Sequence, residues 1–351
     1  MKRAYWAVFG VLALCLLAGA GAGAYVLSRP EAGPARASCL PADKLGSEVR
    51  LAGGRFTMGG TVYEDEGPLR EVEVGPFSID AHEVTNRQFS AFVEETGYKT
   101  VAETGPDPAD FPGVPAEFLK PGSVVFIMPA DLPRGGDITQ WWQFVEGANW
   151  RRPEGPGSSI KGREDYPAVH ITYKDALAYA RWAGRDLPSE AEWEFAARGG
   201  LERRPYAWEG ETLTPEGRHL ANTWQGVFPL YDGAEDGAHL ASPVGCYEPN
   251  GYGLYDMIGN VWEWTGDWYG PRQAEGVTDP QGISREASRD PRQPGIPVRV
   301  IKGGSFLCAP NYCRRYRPGA RHPQDLGLGA SHLGFRTVKR VAGTNLNGDG
   351  S

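Results

Sequence analysis

Basic residues are in the minority in this 351-residue chain. Lys and Arg number 36 against 44 Asp and Glu, a formal net charge of −8. Nucleic acid and an anionic membrane surface both call for a basic face, so neither is expected as the main partner. Histidine is scarce, six residues in all, and none stands in His-Glu-x-x-His spacing. The cysteines form no Cys-x-x-Cys pair, so the common zinc motifs are excluded. There is no Gly-x-Ser-x-Gly elbow and no phosphate-binding loop, which removes the chemistries those motifs carry. No internal repeat and no Pro/Gly/Ser-rich boundary interrupts residues 48–341, so these read as one domain.

What is present is loop material and aromatic weight. The 48 Gly and 29 Pro make up more than a fifth of the chain, without a collagen period. A hydrophobic fraction of 40% and 11 Trp supply a core and anchors for ordered loops. One long apolar run exists, residues 4–28, behind Lys2 and Arg3. It is long enough to span a bilayer, and the basic residues ahead of it favour export of the remainder of the chain. Small residues from Ala20 to Ala24 offer signal-peptidase sites, whereas the length and the trailing Tyr25, Val26 and Leu27 favour a retained anchor. Either way, residues 29–351 are expected outside the cytoplasm, in the periplasm or at the cell surface, anchored or secreted. Residues 29–47 read as a linker and 342–351 as a frayed tail.

Regular elements are expected to be few and short. Arg70 to Val74 alternates charged and apolar residues, as a half-buried strand does. Thr85 with Gln88 opens a helix whose face is Phe89, Phe92 and Val93, stopped at Gly97. Thr172 with Asp175 opens a second, striped by Ala176, Tyr179, Ala180 and Ala183. Ser189 with Glu192 opens a third, carrying Trp193, Ala196 and Ala197 to Gly199. Residues 298–301 and 335–338 read as core strands. His170, flanked by Pro167 to Val169 and Ile171, reads as a hydrogen-bonded core histidine.

Five cysteines occur, Cys15 in the apolar run and Cys39, Cys246, Cys308 and Cys313 after it. Four exported cysteines allow three pairings, and spacing alone makes a small Cys308–Cys313 disulfide the plain reading. The segment around that pair is specific, however: Gly303-Gly304-Ser305-Phe306-Leu307-Cys308-Ala309-Pro310-Asn311-Tyr312-Cys313-Arg314. Other blocks accompany it in order. They include Gly53-Gly54-Arg55-Phe56-Thr57-Met58-Gly59, Glu83-Val84-Thr85-Asn86, Leu187-Pro188-Ser189-Glu190-Ala191-Glu192-Trp193-Glu194, Gly259-Asn260-Val261-Trp262-Glu263-Trp264 and Leu333-Gly334-Phe335-Arg336. Across nearly all of 48–341 the chain resembles the formylglycine-generating enzyme family, the sulfatase-modifying oxidases.

The resemblance implies an α+β, C-type-lectin-derived domain with little regular structure. It implies Cu(I) on Cys308 and Cys313, molecular oxygen as co-substrate, and conversion of a cysteine to formylglycine. The substrate so implied is an unfolded sulfatase polypeptide carrying Cys-x-Pro-x-Arg, whose cysteine joins as a third thiolate. Two soft thiolates suit Cu(I), although a disulfide needs the same proximity. The family places Ser305 and Trp262 beside the sulfurs, and Tyr312, Arg314 and, weakly, Asp107 along the peptide groove. It implies two calcium sites, one at Asn222, Thr223, Asp236 and Ala238, the other at Asn260, Val261, Glu263 and Thr265. Oxygen ligands on flexible loops suit that ion. Extra disulfides of animal members fall here on Ala180, Ala197, Pro318 and Thr337 and are absent. Cys39 and Cys246 lie outside the family site and either pair or stay free. The rivals are a same-fold maturation enzyme for another exported target and a non-catalytic lectin-like binding module.

Overall fold

Four short helices are fixed by their first turns. The computed structural model describes residues 39–340, apart from 109–114, 116–118, 132–136, 272–276, 281, 291 and 293–295. Helix α1 (Asn86–Thr96) opens with Thr85 Oγ1 accepting from Gln88 N–H at 3.2 Å, while Gln88 Oε1 accepts from Thr85 N–H at 2.9 Å. Gly97 ends it with φ 69°, the left-handed cap that a residue without Cβ adopts freely. In α2 (Val101–Thr104) Glu103 reaches back to the Thr100 N–H. Reciprocal pairs Thr172/Asp175 and Ser189/Glu192 open α3 (Tyr173–Trp182) and α4 (Glu190–Arg198). The apolar stripes meet as expected: Phe89, Phe92, Tyr179 and Phe335 pack ring against ring.

The strands are β1 (Glu48–Leu51), β2 (Gly54–Met58), β3 (Arg70–Val74), β4 (Phe77–Asp80), β5 (Gly122–Phe126), β6 (Trp142–Glu146), β7 (Gly226–Val227), β8 (Tyr231–Asp232), β9 (Trp262–Trp268), β10 (Val277–Thr278), β11 (Val298–Lys302), β12 (His322–Asp325), β13 (Leu333–Gly334) and β14 (Val338–Arg340). They form small sheets in the orders β1-β4-β14, β10-β3-β2 and β12-β11-β9-β13, with β5-β6 and β7-β8 as antiparallel pairs. The four-stranded sheet carries the site, because its β11 leads directly into the two-cysteine turn. The molecule is thus mixed α and β with much ordered loop.

The strand expected over 335–338 is a correction. The chain pairs as β13 with β9, crosses residues 335–337 without a strand partner, then pairs as β14 with β4. Phe335, Arg336 and Thr337 are all 0% exposed, so the burial expected of a core strand is there without the strand pairing. Phe335 enters the aromatic core, Arg336 grips Glu263 and Thr337 bonds Asp80.

Helix α4 departs from its stripe in the same way. All nine of its residues are buried, and it packs on β2, β3, β9 and β11. Its charges are paired inside the protein. Glu194 meets Arg198 at 2.7 Å and Lys302 at 3.0 Å, Glu190 meets Arg321 at 3.0 Å, and Glu192 meets Arg340 at 2.6 Å.

Residues 39–47, read from composition as linker, belong to the packed body. Cys39 and Cys246 form a disulfide, Leu40 N–H donates to the Gly245 carbonyl at 2.8 Å, and Gly46 N–H donates to His82 Nε2 at 2.9 Å. The apolar run 4–28 and the tail 342–351 lie outside the described residues. Among the described residues no helix is long and apolar enough to cross a membrane.

Candidate active site

After β11 the chain passes through Gly303 and Gly304 at φ 93° and 74°. A Cβ on Gly304 would stand 2.9 Å from the Tyr316 amide nitrogen, so the turn requires glycine. Ser305, fully buried, takes the Cys308 N–H on its carbonyl at 2.9 Å, and its hydroxyl accepts from Leu307 N–H at 3.3 Å. The Ala309 carbonyl then accepts from both Tyr312 and Cys313 N–H groups, at 3.1 and 3.0 Å. This turn brings the two sulfurs together. The Cys308 thiol donates to Cys313 Sγ at 2.8 Å, and no disulfide joins them. The small disulfide that spacing alone favoured is therefore not formed.

Both cysteines line a pocket of about 140 Å³ together with Ser305, Trp262, Tyr312 and Trp142. Tyr312 stacks on Phe228 with centroids 4.0 Å apart and accepts from Trp142 Nε1 at 3.5 Å. Burial raises the Cys308 thiol well above its ordinary value, helped by Cys313. Cys313 is lowered, first by the hydrogen bond from Cys308, then against burial by the Arg315 amide and the Arg315 and Arg317 charges. The pair is thus a thiol and a more acidic partner. Arg315 is itself held by Asp65 at 3.0 Å and lies over the Tyr63 ring at 4.2 Å.

Residues 35–341 match the family described as sulfatase-modifying factor enzyme 1-like domain. The chain belongs to that family. The formylglycine-generating enzyme of Thermomonospora curvata is 48% identical over 295 residues, covering 82% of this chain and 91% of that protein. A mouse protein named inactive C-alpha-formylglycine-generating enzyme 2 is 47% identical over 298 residues, 82% of this chain and 84% of its own. Among solved structures, PvdO from Pseudomonas aeruginosa aligns with TM-score 0.54 at 23% identity, over 88% of this chain and all of that one, which speaks to the fold alone. Because one relative is named inactive, family membership alone does not make this chain a catalyst, and the thiol pair has to carry that conclusion.

Measured against the family expectation, the other residues fall into three groups. Trp262, Ser305 and Tyr312 share the pocket with both cysteines. Arg314 is exposed and does not line it. Its amide N–H donates to the Tyr63 hydroxyl, and the pocket's arginine on this side is Arg315. Asp107 is exposed on the loop after α2 and is likewise not part of the pocket wall.

Copper and calcium can be tested against the donors present. Two sulfurs at one pocket wall, not joined as a disulfide, fit a soft monovalent ion. The first calcium set is gathered in one loop cluster. The Asp236 carboxylate accepts from Thr223 N–H at 3.0 Å, Ala238 N–H at 2.9 Å and Gln225 Nε2 at 2.8 Å. Gln225 Nε2 also donates to the Thr223 carbonyl, so two of the expected oxygens already face one donor. Burial raises Asp236, against the hydrogen bonds that it accepts. Asn222 joins through Leu240 O at 2.9 Å and Asn260 Oδ1 at 3.2 Å. This set fits an oxygen-seeking ion.

The second set is not gathered in this way. Both Glu263 oxygens are taken by Arg336, at 2.7 and 2.8 Å, and one also accepts from Trp193 Nε1. Asn260 faces Asn222, Ser242 and Glu83, while Thr265 Oγ1 donates to the Val300 carbonyl. Val261 is buried in the same stretch, just before β9. The oxygens therefore point to separate partners. Among the described residues, the buried acid oxygens nearby without a hydrogen-bond partner are Asp256 Oδ1 and Glu83 Oε2, neither of which was assigned as a ligand. Burial raises Asp256 to about 6 and Glu83 well above the usual range.

His170 meets its expectation. It is fully buried, with Nδ1 on Ser123 Oγ and Nε2 on the Pro153 carbonyl, both at 2.8 Å. Burial lowers it to about 4, so the fold favours its neutral form. The stabilisation from that histidine is complete above the unfolded value near 6.5 and is lost as pH falls toward 4, about 3 kcal/mol in all. Asp256 and Asp267, raised to about 6, work in the opposite sense. His170→Asn, which tolerates the φ of 62°, should therefore lose stability at pH 7 yet show a flatter decline to pH 4.5. Urea unfolding of both proteins across that range measures the difference in slope; equal slopes would remove the assignment.

Proposed function

We propose that this protein oxidises a cysteine of an unfolded sulfatase polypeptide, in a Cys-x-Pro-x-Arg segment, to formylglycine with molecular oxygen. The observation that carries the reading is the pair of unbonded thiols, 2.8 Å apart, at the wall of a pocket. Cys308 and Cys313 would hold Cu(I), which when bound supplies oxygen activation and a place for the substrate thiolate. Both sulfurs face the same pocket, so both are available as thiolate ligands. The Ser305 hydroxyl stands in the same pocket and can donate to a bound polar group. Trp262 and Tyr312 wall the site with aromatic surface and limit water. The pocket sits on a small sheet and ordered loops, so a flexible chain can reach it where a buried cysteine of a folded protein cannot.

We place this chemistry outside the cytoplasm, with residues 4–28 as signal or membrane anchor. The Cys39–Cys246 disulfide supports an oxidising compartment. Incubating the copper-loaded protein with a Cys-x-Pro-x-Arg peptide and oxygen should produce the mass loss of a thiol becoming an aldehyde. An unmodified peptide would sink the reading.

Calcium at Asn222, Thr223, Asp236 and Ala238 is part of the same proposal. An ion bound only by the folded state stabilises it by mass action, about 3 kcal/mol at a hundred times its dissociation constant. Chelation should lower the melting temperature of the wild type and leave Asp236→Ala unaffected. A wild-type melt that ignores excess chelator would remove the site.

A further inference from the structure

Two histidines in the thiol pocket are left unused by the proposed chemistry. His322 and His332 both line it. His322 begins β12 opposite Ile301 of β11, and His332 precedes β13, its carbonyl accepting the Trp262 N–H at 2.8 Å. They therefore stand at the starts of the two outer strands of the four-stranded sheet, His322 on β12 and His332 just ahead of β13. Each ring lies against a tryptophan: His322 by Trp262 at 5.6 Å and His332 by Trp142 at 4.6 Å between centroids. Nδ1 of each is shut off from water and has no hydrogen-bond partner among the described residues. Unpaired buried nitrogens are uncommon in native proteins and call for an explanation.

Two explanations fail. Burial, with the charges of Arg315 and Arg292, holds His322 neutral, and burial lowers His332 to about 3. Rings so reluctant to take a proton are poor bases near neutral pH. Among the described residues no three His, Cys, Asp or Glu side chains converge as a metal site, so the histidines do not complete the thiol pair. What remains is hydrogen bonding. The pocket's other polar groups include the donors Arg292 and Arg315, and a neutral imidazole adds an acceptor. An extended polypeptide entering the pocket brings main-chain N–H groups that must find acceptors once water is excluded. A half-turn of the ring about Cβ–Cγ, the ordinary two-fold freedom of an imidazole, exchanges Nδ1 with Cδ2 and so turns that nitrogen away from its shut-off face.

We propose that His322 and His332 clamp the main chain of the substrate, each accepting a peptide N–H on its own side of the reacting cysteine. This rests on the function proposed above. The test uses the full-length, copper-loaded protein and a Cys-x-Pro-x-Arg peptide. His322→Phe and His332→Phe keep a ring against each tryptophan and remove the nitrogens. Each should raise KM roughly three- to tenfold, with kcat within about twofold and the melting temperature unchanged. His→Asn, which restores an acceptor, should recover part of the loss. A peptide N-methylated beside the cysteine should lose as much with the wild type, and nothing further with the variant on that side. Unchanged KM in both variants, or a fall in kcat at constant KM, would overturn the clamp. A wild type that never converts the unmethylated peptide would instead overturn the function it rests on.

Discussion

Cys308→Ser and Cys313→Ser should each abolish tight Cu(I) binding and peptide oxidation while leaving the fold intact. Each removes one of the two protein thiolates, and a hydroxyl does not replace a soft ligand for a soft ion. Residues that merely orient a metal's ligands are worth roughly 10–100-fold in affinity, so loss of a ligand should exceed about a hundredfold. The fold should survive because the turn is held by backbone bonds, Cys308 N–H to Ser305 O and Cys313 N–H to Ala309 O, which serine keeps. A competition titration against a Cu(I) chelator, alongside a thermal melt, reads both quantities. Wild-type protein that binds no Cu(I), with both variants unfolded, would mean the pair is structural.

Arg336→Ala should be the most damaging change away from the pocket. Its guanidinium is fully buried and makes two bonds to Glu263, one to the Tyr255 carbonyl at 2.9 Å and one to the Asp80 carbonyl at 3.2 Å. Removing it strands Glu263 beside two further buried acids, Glu83 and Asp256. Breaking a buried pair from one side costs about 3–5 kcal/mol. For a domain of this size that is a fall of roughly 10 °C in melting temperature. Replacing both partners, Arg336→Met with Glu263→Gln, should recover part of the loss, since the uncompensated charge is then gone. Calorimetry on the two proteins decides it; a single variant that melts within about a degree of wild type would show that the acids find another cation.

The three longer helices and the thiol turn were legible because their causes are local; the single turn of α2 was not read. Thr85 with Gln88 and Gly97, or Gly303-Gly304 before Ser305, specify conformation within a few residues of themselves. Of the four-stranded sheet only β11 was legible: 298–301 reads as a strand, but β12 begins with His322 and Pro323, which carry no strand signal. The break at 335–337 was hidden because its cause, Glu263, lies 73 residues away from Arg336. The burial of α4 was hidden for the same reason, since Lys302, Arg321 and Arg340 neutralise its acids from distant strands and turns. In the site, motif matching found the sulfurs, Ser305, Trp262 and Tyr312, which share one turn and one neighbouring strand. It missed Tyr63 and the two pocket histidines, which arrive from separate loops. It chose Asn260 where the unused acid oxygen is on Asp256, four positions earlier.

The Cys39–Cys246 bond has a mechanical consequence. Residues 29–39 number eleven, and a fully extended chain of that length reaches no more than about 40 Å. If residues 4–28 remain in a membrane, the catalytic body hangs on a leash of that length, knotted to it at Cys246 rather than at its first strand. The chain's net charge of −8 disfavours contact between the body and an anionic surface. Under the proposed anchoring the protein would work in a layer a few nanometres deep, where a tethered catalyst is concentrated and a freely diffusing one is not. Unfolded chains emerging through the same membrane would enter that layer, and cutting the chain ahead of Cys39 would dilute the activity without touching the pocket.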